Sequence, residues 1–161
     1  MPAAAFNDVK VGPYFYIGAT IGLGLVIQKS GLSDGLGGFL HGVLSLEPGA
    51  DFANFLKLSV LTTIAGLFTT IPAQPAVLAP LAENFAQATG WPLKTALMVI
   101  AVGYSTFLAP YQVPPVMVGL QVGALRSTPT LKLVLSLAFF GLLVMVPLQY
   151  LWWRAIGYLG Q

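Results

Sequence analysis

The charged residues of this chain are so few and so widely spaced that they limit the folds open to it. The 161-residue sequence has seven Lys and Arg residues and five Asp and Glu residues, 7% of the chain, whereas 57% of its residues are hydrophobic. A soluble protein has about 25% charged residues, and a disordered chain is poor in apolar ones. Four runs of 18 to 31 residues contain no charge, namely 11–28, 58–82, 95–125 and 133–153. Because a membrane helix needs about 20 apolar residues, the pattern indicates an integral membrane protein.

Composition also excludes several kinds of functional site. The chain has no Cys, which excludes disulfides, iron–sulfur clusters and thiolate zinc sites, and its single His, His41, cannot form a multi-histidine metal site. The net charge is +2 and no basic cluster is present, so we expect no nucleic-acid partner. The membrane segments contain no acidic pair and no nucleophile–base pair. We therefore predict that the chain is not an enzyme and has no cofactor.

The N-terminal third is predicted to contain one membrane crossing. A polar segment, 1–10, precedes a spanning helix at 11–28; a secretory signal peptide is the competing interpretation, although a basic n-region and a cleavage site are lacking. Apolar residues at spacings of three and four then predict an amphipathic interfacial helix and loop at 30–51.

The segment 55–89 is predicted to be a re-entrant helical hairpin. Pro72 and Pro75 lie in the middle of its charge-free run with Gln74 between them. Two prolines three residues apart remove backbone donors and break a helix. The arms, at about 55–71 and 76–88, suit a hairpin because the second is too short to cross the bilayer. The alternative is a single spanning helix with a proline kink.

A second interruption is predicted in the segment 92–125. Pro110, Pro114 and Pro115 interrupt its charge-free run, so we expect a discontinuous transmembrane helix with half-helices at about 92–108 and 115–125. The final spanning helix, 132–154, contains an uninterrupted charge-free run and ends in aromatic residues typical of a membrane–water boundary.

The two interruptions share a pattern, since each places a glutamine between prolines. Breaking a membrane helix leaves backbone groups without partners, which is tolerated where they bind a ligand or line a cavity. In secondary transporters such breaks bind the substrate and the coupling ion. The neutral side chains at the breaks can bind an oxyanion or sodium, although each singly could also serve helix packing: Thr69, Thr70, Gln74, Ser105, Thr106, Tyr111 and Gln112.

These residues carry a resemblance to a known family. The run GYSTFLAPYQVPPVMVGLQVG (103–123), followed by a polar break and an apolar helix ending in LWW, resembles the divalent anion/sodium symporter family, which includes dicarboxylate, citrate and sulfate transporters. TTIPAQPAVLAPLAENFAQATGWP (69–92) resembles that family's second helical hairpin, and GLSDGLGGFL (31–40) its connecting interfacial helix. The sequence departs from the family at the hairpin tip, which in the family usually reads Ser-Asn-Thr and here reads TTIPAQP (69–75).

The resemblance implies an all-α integral membrane fold, the second inverted repeat of a secondary transporter. It implies a substrate and sodium site at the hairpin tip and the unwound loop: Thr69, Thr70, Ala73, Gln74, Ser105, Thr106, Ala109, Pro110, Tyr111, Gln112, Val113 and Pro114. The sodium ligands that it implies are Thr70, Gln74, Thr106 and Ala109, with Na⁺ as the coupling ion.

The resemblance covers only the C-terminal portion of such a transporter. It implies a small divalent anion as substrate, alternating access, a bacterial inner (plasma) membrane location, and a homodimer when the transporter is complete. The missing first repeat, or another chain, would then be a partner besides the lipid bilayer. We expect the hairpin and the broken helix to move against a scaffold that contains the last helix. The alternatives are a proton-coupled permease of the same superfamily and a non-transporting membrane partner subunit.

Overall fold

The described part of the chain is built from helices. The computed structural model describes residues 42–124 and 126–159 and, upstream of these, positions 15, 18, 19, 22, 26, 29–31, 35, 39 and 40. The α-helices are α1 (Asp51–Ala65), α2 (Gln74–Leu78), α3 (Ala82–Thr89), α4 (Leu93–Tyr104), α5 (Pro114–Val122), α6 (Ser127–Phe140) and α7 (Val146–Ala155). Short 3-10 segments lie at Gly66–Phe68, Ile71–Ala73, Ala79–Leu81 and Pro110–Gln112, and a π-helical segment at Gly141–Met145. The prediction of an all-α fold is confirmed.

Residues 51–91 form a hairpin of two antiparallel arms. At the open end, the indole Nε1 of Trp91 donates a 2.7 Å hydrogen bond to Asp51 Oδ1. At the tip, Gln74 Nε2 donates to the carbonyl oxygen of Thr62 at 3.0 Å. The chain therefore leaves along α1 and returns along α2 and α3. That the tip lies at membrane depth stays a prediction.

The arms differ in detail from the predicted bounds. The first arm begins at Asp51, four residues earlier than predicted, and Asp51–Phe68 is long and apolar enough to cross a membrane. The second arm changes from α to 3-10 geometry at Ala79–Leu81. Pro80 lies in that segment and has no N–H to donate, which accounts for the change.

The core lies where the hairpin packs against α4. Phe55 and Leu58 of α1 are fully buried, together with Phe85 of α3 and Val99 of α4. A β-carbon added at Gly103 of α4 would overlap the Thr62 side chain and stand 3.0 Å from the carbonyl oxygen of Ser59. Helices approach this closely in membranes where small residues face each other. Gly103 therefore fixes how closely α4 approaches the first arm.

The broken helix has shorter halves than the sequence predicted. The first half, α4, ends at Tyr104 rather than near Leu108, and the second, α5, runs over Pro114–Val122. Proline has no N–H to lose in a first helical turn, which explains why α5 begins at Pro114. Between the halves, Ala109 and Val113 have extended backbones on either side of the 3-10 segment. The predicted unwound stretch is therefore present.

The final helix is long and contains a π-helical segment. Ser127–Ala155 is a 29-residue helical stretch, which is long and apolar enough to cross a membrane. Pro147 cannot donate to the carbonyl four residues earlier, and that carbonyl belongs to Leu143, within the π-helical segment Gly141–Met145. In this segment the hydrogen bonds of the α-helix are replaced by the longer-range bonds of a π-helix, at the point where proline interrupts the regular pattern.

The final helix packs against the hairpin through aromatic side chains; the expectation that it belongs to a scaffold against which the hairpin moves stays a prediction. The Phe55 ring of α1 makes edge-to-face contacts with Tyr150, at 5.5 Å between ring centroids, and with Trp153, at 5.4 Å. Phe52 meets Tyr150 at 4.9 Å in the same manner. These aromatic side chains pack α7 against the first arm, so we group the final helix with the hairpin.

Two predicted segments lie wholly or largely outside the described residues, and a third lies partly outside them. The polar segment 1–10 is wholly outside, and the spanning helix 11–28 almost wholly. Of the interfacial segment 30–51, the continuously described part ends its helix at Leu44 and continues through turns to Ala50.

Candidate functional site

The tip of the hairpin is a stretch of non-helical backbone. After Phe68, Thr69 and Thr70 are extended, with φ and ψ of −136° and 177° and of −100° and 155°. The carbonyl oxygen of Thr70 then accepts the N–H groups of Ala73 at 2.9 Å and Gln74 at 3.1 Å, which starts the second arm. Pro72 lies in this turn, where its missing N–H is not needed. Two predicted residues, Thr69 and Thr70, thus lie at the tip.

Gln112 holds the unwound loop of the broken helix together. Its Oε1 accepts hydrogen bonds from the backbone N–H groups of Leu108 and Ala109, both at 2.6 Å. These two donors lie past the end of α4. The Gln112 side chain is 1% exposed, and its carboxamide oxygen supplies the acceptor for two partly buried N–H groups that lie past the end of a helix. Gln112 therefore acts first on its own loop.

The two interruptions meet at Gly66. A β-carbon added there would stand 2.5 Å from Gln74 Nε2 and 2.6 Å from Gln112 Nε2. Beside this contact, the hydroxyl of Tyr111 donates a hydrogen bond to the carbonyl oxygen of Leu67. The hairpin tip and the unwound loop thus form one junction, which we define by Gly66, Leu67, Gln74, Tyr111 and Gln112.

One acceptor at this junction has no partner. Gln74 is 1% exposed, and its Nε2 is engaged by the Thr62 carbonyl, but its Oε1 is buried and makes no hydrogen bond. Buried polar atoms in native proteins nearly always have a partner, so an orphan is a reason to look for a ligand. The oxygen of Gln74 can accept a hydrogen bond or coordinate a cation.

The remaining predicted residues divide between the junction and a second region. Ser105 and Thr106 line a cavity of about 320 Å³ against the final helix, with apolar residues such as Val134, Ala138 and Met145. Thr106 is buried, and its hydroxyl would stand 3.3 Å from a β-carbon at Gly141. That Thr70, Gln74, Thr106 and Ala109 together bind one sodium ion stays a prediction.

Backbone groups of the predicted loop residues are largely engaged with one another. The carbonyl oxygen of Ala109 accepts the N–H of Gln112 at 3.1 Å, and that of Pro110 accepts the N–H of Val113 at 3.2 Å. Pro114 begins α5, and Ala73 ends the 3-10 segment of the tip. These residues shape the two turns, whereas the side chains of Gln74, Gln112 and Tyr111 connect them.

The junction is electrically neutral in its side chains but not in its backbone. The five residues that define it carry no formal charge. The first arm and α4 point their C-terminal ends, which are partially negative, toward the breaks, and α5 begins there with a partially positive N-terminus. Such a site can stabilise a cation and an anion together, and it lacks an acid–base pair for chemistry on a substrate.

Sequence reasoning missed Gly66, Leu67 and Thr62. Gly66 and Thr62 are residues of an apparently regular helix, and the only signal for them is a small residue shortly before a predicted break. Their roles arise from contacts with Gln74 across the hairpin tip and with the broken helix, which no local sequence pattern reports.

Comparison with known proteins places the chain in a family. The family model described as the sodium:sulfate symporter transmembrane region matches residues 12–159. Neither a curated protein nor a solved structure matches the chain significantly. The family match spans both arms of the hairpin, both halves of the broken helix and the final helix, and it confirms the resemblance and the integral membrane assignment. The chain therefore belongs to the family defined by the sodium:sulfate symporter transmembrane region.

Proposed function

We propose that this chain is the C-terminal part of a sodium-coupled secondary transporter for small divalent anions: a dicarboxylate, citrate or sulfate. The observation that carries the proposal is the orphaned Oε1 of Gln74, buried at the junction of two broken membrane helices. In hydrocarbon surroundings such an oxygen costs several kcal/mol unless something binds it. Na⁺ prefers oxygen ligands of this kind, and helix C-termini support it electrostatically.

The substrate would be bound by neutral donors. The N-terminus of α5 offers backbone N–H groups and partial positive charge to an anion. With no charged side chain among the five junction residues, co-bound sodium ions would supply the balancing charge. This arrangement makes anion binding depend on sodium, which is the basis of symport.

The hairpin, the broken helix and the final helix would move together in alternating access. The aromatic contacts of Phe55 with Tyr150 and Trp153 support this grouping. The described residues contain one hairpin and one broken helix, so we propose that the first repeat, from another chain or from further sequence, completes the site. We further propose a bacterial inner-membrane homodimer without enzymatic activity.

Uptake into proteoliposomes tests the proposal. The chain is reconstituted alone and with the first repeat of a family member supplied as a separate chain, and uptake of labelled succinate, citrate and sulfate is compared between sodium and choline gradients. We expect sodium-dependent uptake of one anion when both repeats are present. Uptake driven by a pH gradient without sodium would indicate proton coupling, and no uptake by correctly inserted protein would favour a non-transporting subunit.

A matched pair of glutamine variants tests the assignment of the orphaned oxygen. Gln74→Met keeps the length of the side chain but removes the oxygen, so we expect the sodium concentration for half-maximal uptake to rise at least tenfold. Gln121→Met makes the same change at an exposed position of α5 and should leave uptake unchanged. Equal uptake by the two variants would exclude Gln74 as an ion ligand.

A further inference from the structure

Gly66 is buried, yet its backbone does not require glycine. Its φ and ψ are −59° and −25°, an ordinary right-handed conformation that any residue adopts. Alanine would also be favoured over glycine in a helical turn. The absence of a side chain at this position must therefore have another cause, and the surrounding atoms supply it.

The space beside the Gly66 α-carbon is occupied by two carboxamides. The three atoms nearest to an added β-carbon all belong to Gln74 and Gln112, at 2.5 Å, 2.6 Å and 3.5 Å. None of the three is a backbone atom. A methyl group there would have to displace the ends of two flexible side chains, one from each interruption, and would leave the helix itself intact.

Both carboxamides are held in orientation by backbone partners. Gln74 Nε2 donates to the Thr62 carbonyl, which turns Oε1 into its buried, unpartnered position. Gln112 Oε1 accepts from Leu108 and Ala109, which turns Nε2 toward Gly66. Moving the Gln112 amide therefore breaks its hydrogen bonds to Leu108 and Ala109, and moving the Gln74 amide changes the direction of its unpartnered oxygen.

We infer that Gly66 is a positioning residue for the proposed transport site: its missing side chain lets Gln74 and Gln112 pack against the first arm and so holds the hairpin tip and the unwound loop in register. The inference rests on the proposed function for its role in transport. The contact itself does not depend on that function, and it can be measured separately.

The first measurement compares two glycine-to-alanine variants by uptake. Gly66→Ala should raise the sodium concentration for half-maximal uptake at least tenfold while expression and gel-filtration behaviour stay unchanged. Gly119→Ala is the matched control, because an added β-carbon there meets no atom within 4 Å. Unchanged sodium dependence in Gly66→Ala would overturn the inference, whereas a change in apparent sodium affinity is a result that general destabilisation would not produce.

The second measurement does not require transport. Since the natural chain has no Cys, a single cysteine in place of Val113, next to Gln112, reports on the packing of the loop. We expect its reaction with a maleimide to be at least threefold faster in the Gly66→Ala background and unchanged with Gly119→Ala. Faster labelling without uptake by any variant would refute the proposed function and support the contact; equal labelling rates would overturn the inference.

A third variant covers the case in which Gly66→Ala does not fold. Gly66→Ala combined with Gln74→Ala and Gln112→Ala removes both groups that the methyl group displaces, so the triple variant should have the same gel-filtration profile and thermal midpoint as the Gln74→Ala, Gln112→Ala double variant. A triple variant less stable than that double variant would mean that the methyl group disturbs something other than the carboxamides, which would overturn the inference.

Discussion

Gln112 shows how one residue makes an interruption of a membrane helix tolerable. It is 1% exposed, and its Oε1 accepts two backbone N–H groups at 2.6 Å. Gln112→Met should leave both donors without a partner, at a cost of about 1–3 kcal/mol each. For a chain of this size we expect a fall in the thermal midpoint of about 2–4 °C for each kcal/mol, measured by circular dichroism in detergent.

The same substitution at Gln121 is the control for this prediction. Gln121 lies on the exposed surface of α5, and Gln121→Met should shift the midpoint little. Equal midpoints for the two variants would mean that the loop does not depend on the Gln112 carboxamide.

At the residue scale, the sequence pattern singles out residues at the two breaks, but it does not predict which hydrogen bonds each of them makes. Gln74 and Gln112 could be singled out because each lies between prolines in a charge-free run. Their different roles could not be predicted, since the free oxygen of Gln74 and the engaged oxygen of Gln112 depend on which backbone groups each side chain reaches. Gly66 could not be predicted, because a side chain there is excluded by Gln74 across the hairpin tip and by Gln112 of the broken helix, and both contacts depend on tertiary structure.

At the scale of elements, the contribution of the aromatic contact between the final helix and the hairpin to stability can be tested. Trp153 is 8% exposed and packs edge-to-face on Phe55 at 5.4 Å, whereas its neighbour Trp152 is 64% exposed. Trp153→Ala should therefore destabilise the protein by about 3–5 kcal/mol, as is usual for a buried tryptophan. Trp152→Ala removes a side chain of the same size from the outer surface and should have a much smaller effect.

Thermal denaturation of the two tryptophan variants, followed by circular dichroism at one detergent concentration, measures the difference. A loss of stability as large in Trp152→Ala as in Trp153→Ala would contradict the grouping of α7 with the hairpin. It would also return the final helix to the separate scaffold that the sequence led us to expect.

The positions of the elements were more predictable than their ends. Proline removes a backbone donor wherever it lies, and Pro72 and Pro110 lie in 3-10 segments between α-helices. The ends of α1 and α4 moved by several residues because capping and 3-10 turns depend on tertiary contacts. The π-helical segment Gly141–Met145 precedes a single proline in an apolar run, a pattern that is equally consistent with a simple kink.

At the scale of the whole molecule, three pairs of residues show which parts of the chain lie at the same end of the helical bundle. Asp51 accepts a hydrogen bond from Trp91, so the two ends of the hairpin lie together. The Lys94 ammonium lies 5.6 Å from the centre of the Tyr158 ring, which brings the start of α4 to the end of the final helix. Arg154 and Asp51 line the same cavity. The loop between α5 and α6 shares none of these contacts.

This arrangement predicts a membrane topology. The positive-inside rule does not settle it, because three basic residues are expected on one face (Lys10, Arg126 and Lys132) and four on the other (Lys29, Lys57, Lys94 and Arg154). If 51–91 is a re-entrant hairpin and α4 with α5 crosses the bilayer once, Glu47, Lys94 and Arg154 lie on one face and Arg126 on the other. Single cysteines at these positions, in a chain that has none, should react with a membrane-impermeant maleimide from those sides of oriented vesicles. Labelling after detergent permeabilisation controls for accessibility.

The alternative of a single proline-kinked helix puts Glu47 and Lys94 on opposite faces, so labelling of cysteines at these two positions from different sides would reject the hairpin. Labelling from the same side, with Arg126 on the other, would place the junction of Gln74 and Gln112 inside the bilayer, where the orphaned oxygen requires a ligand.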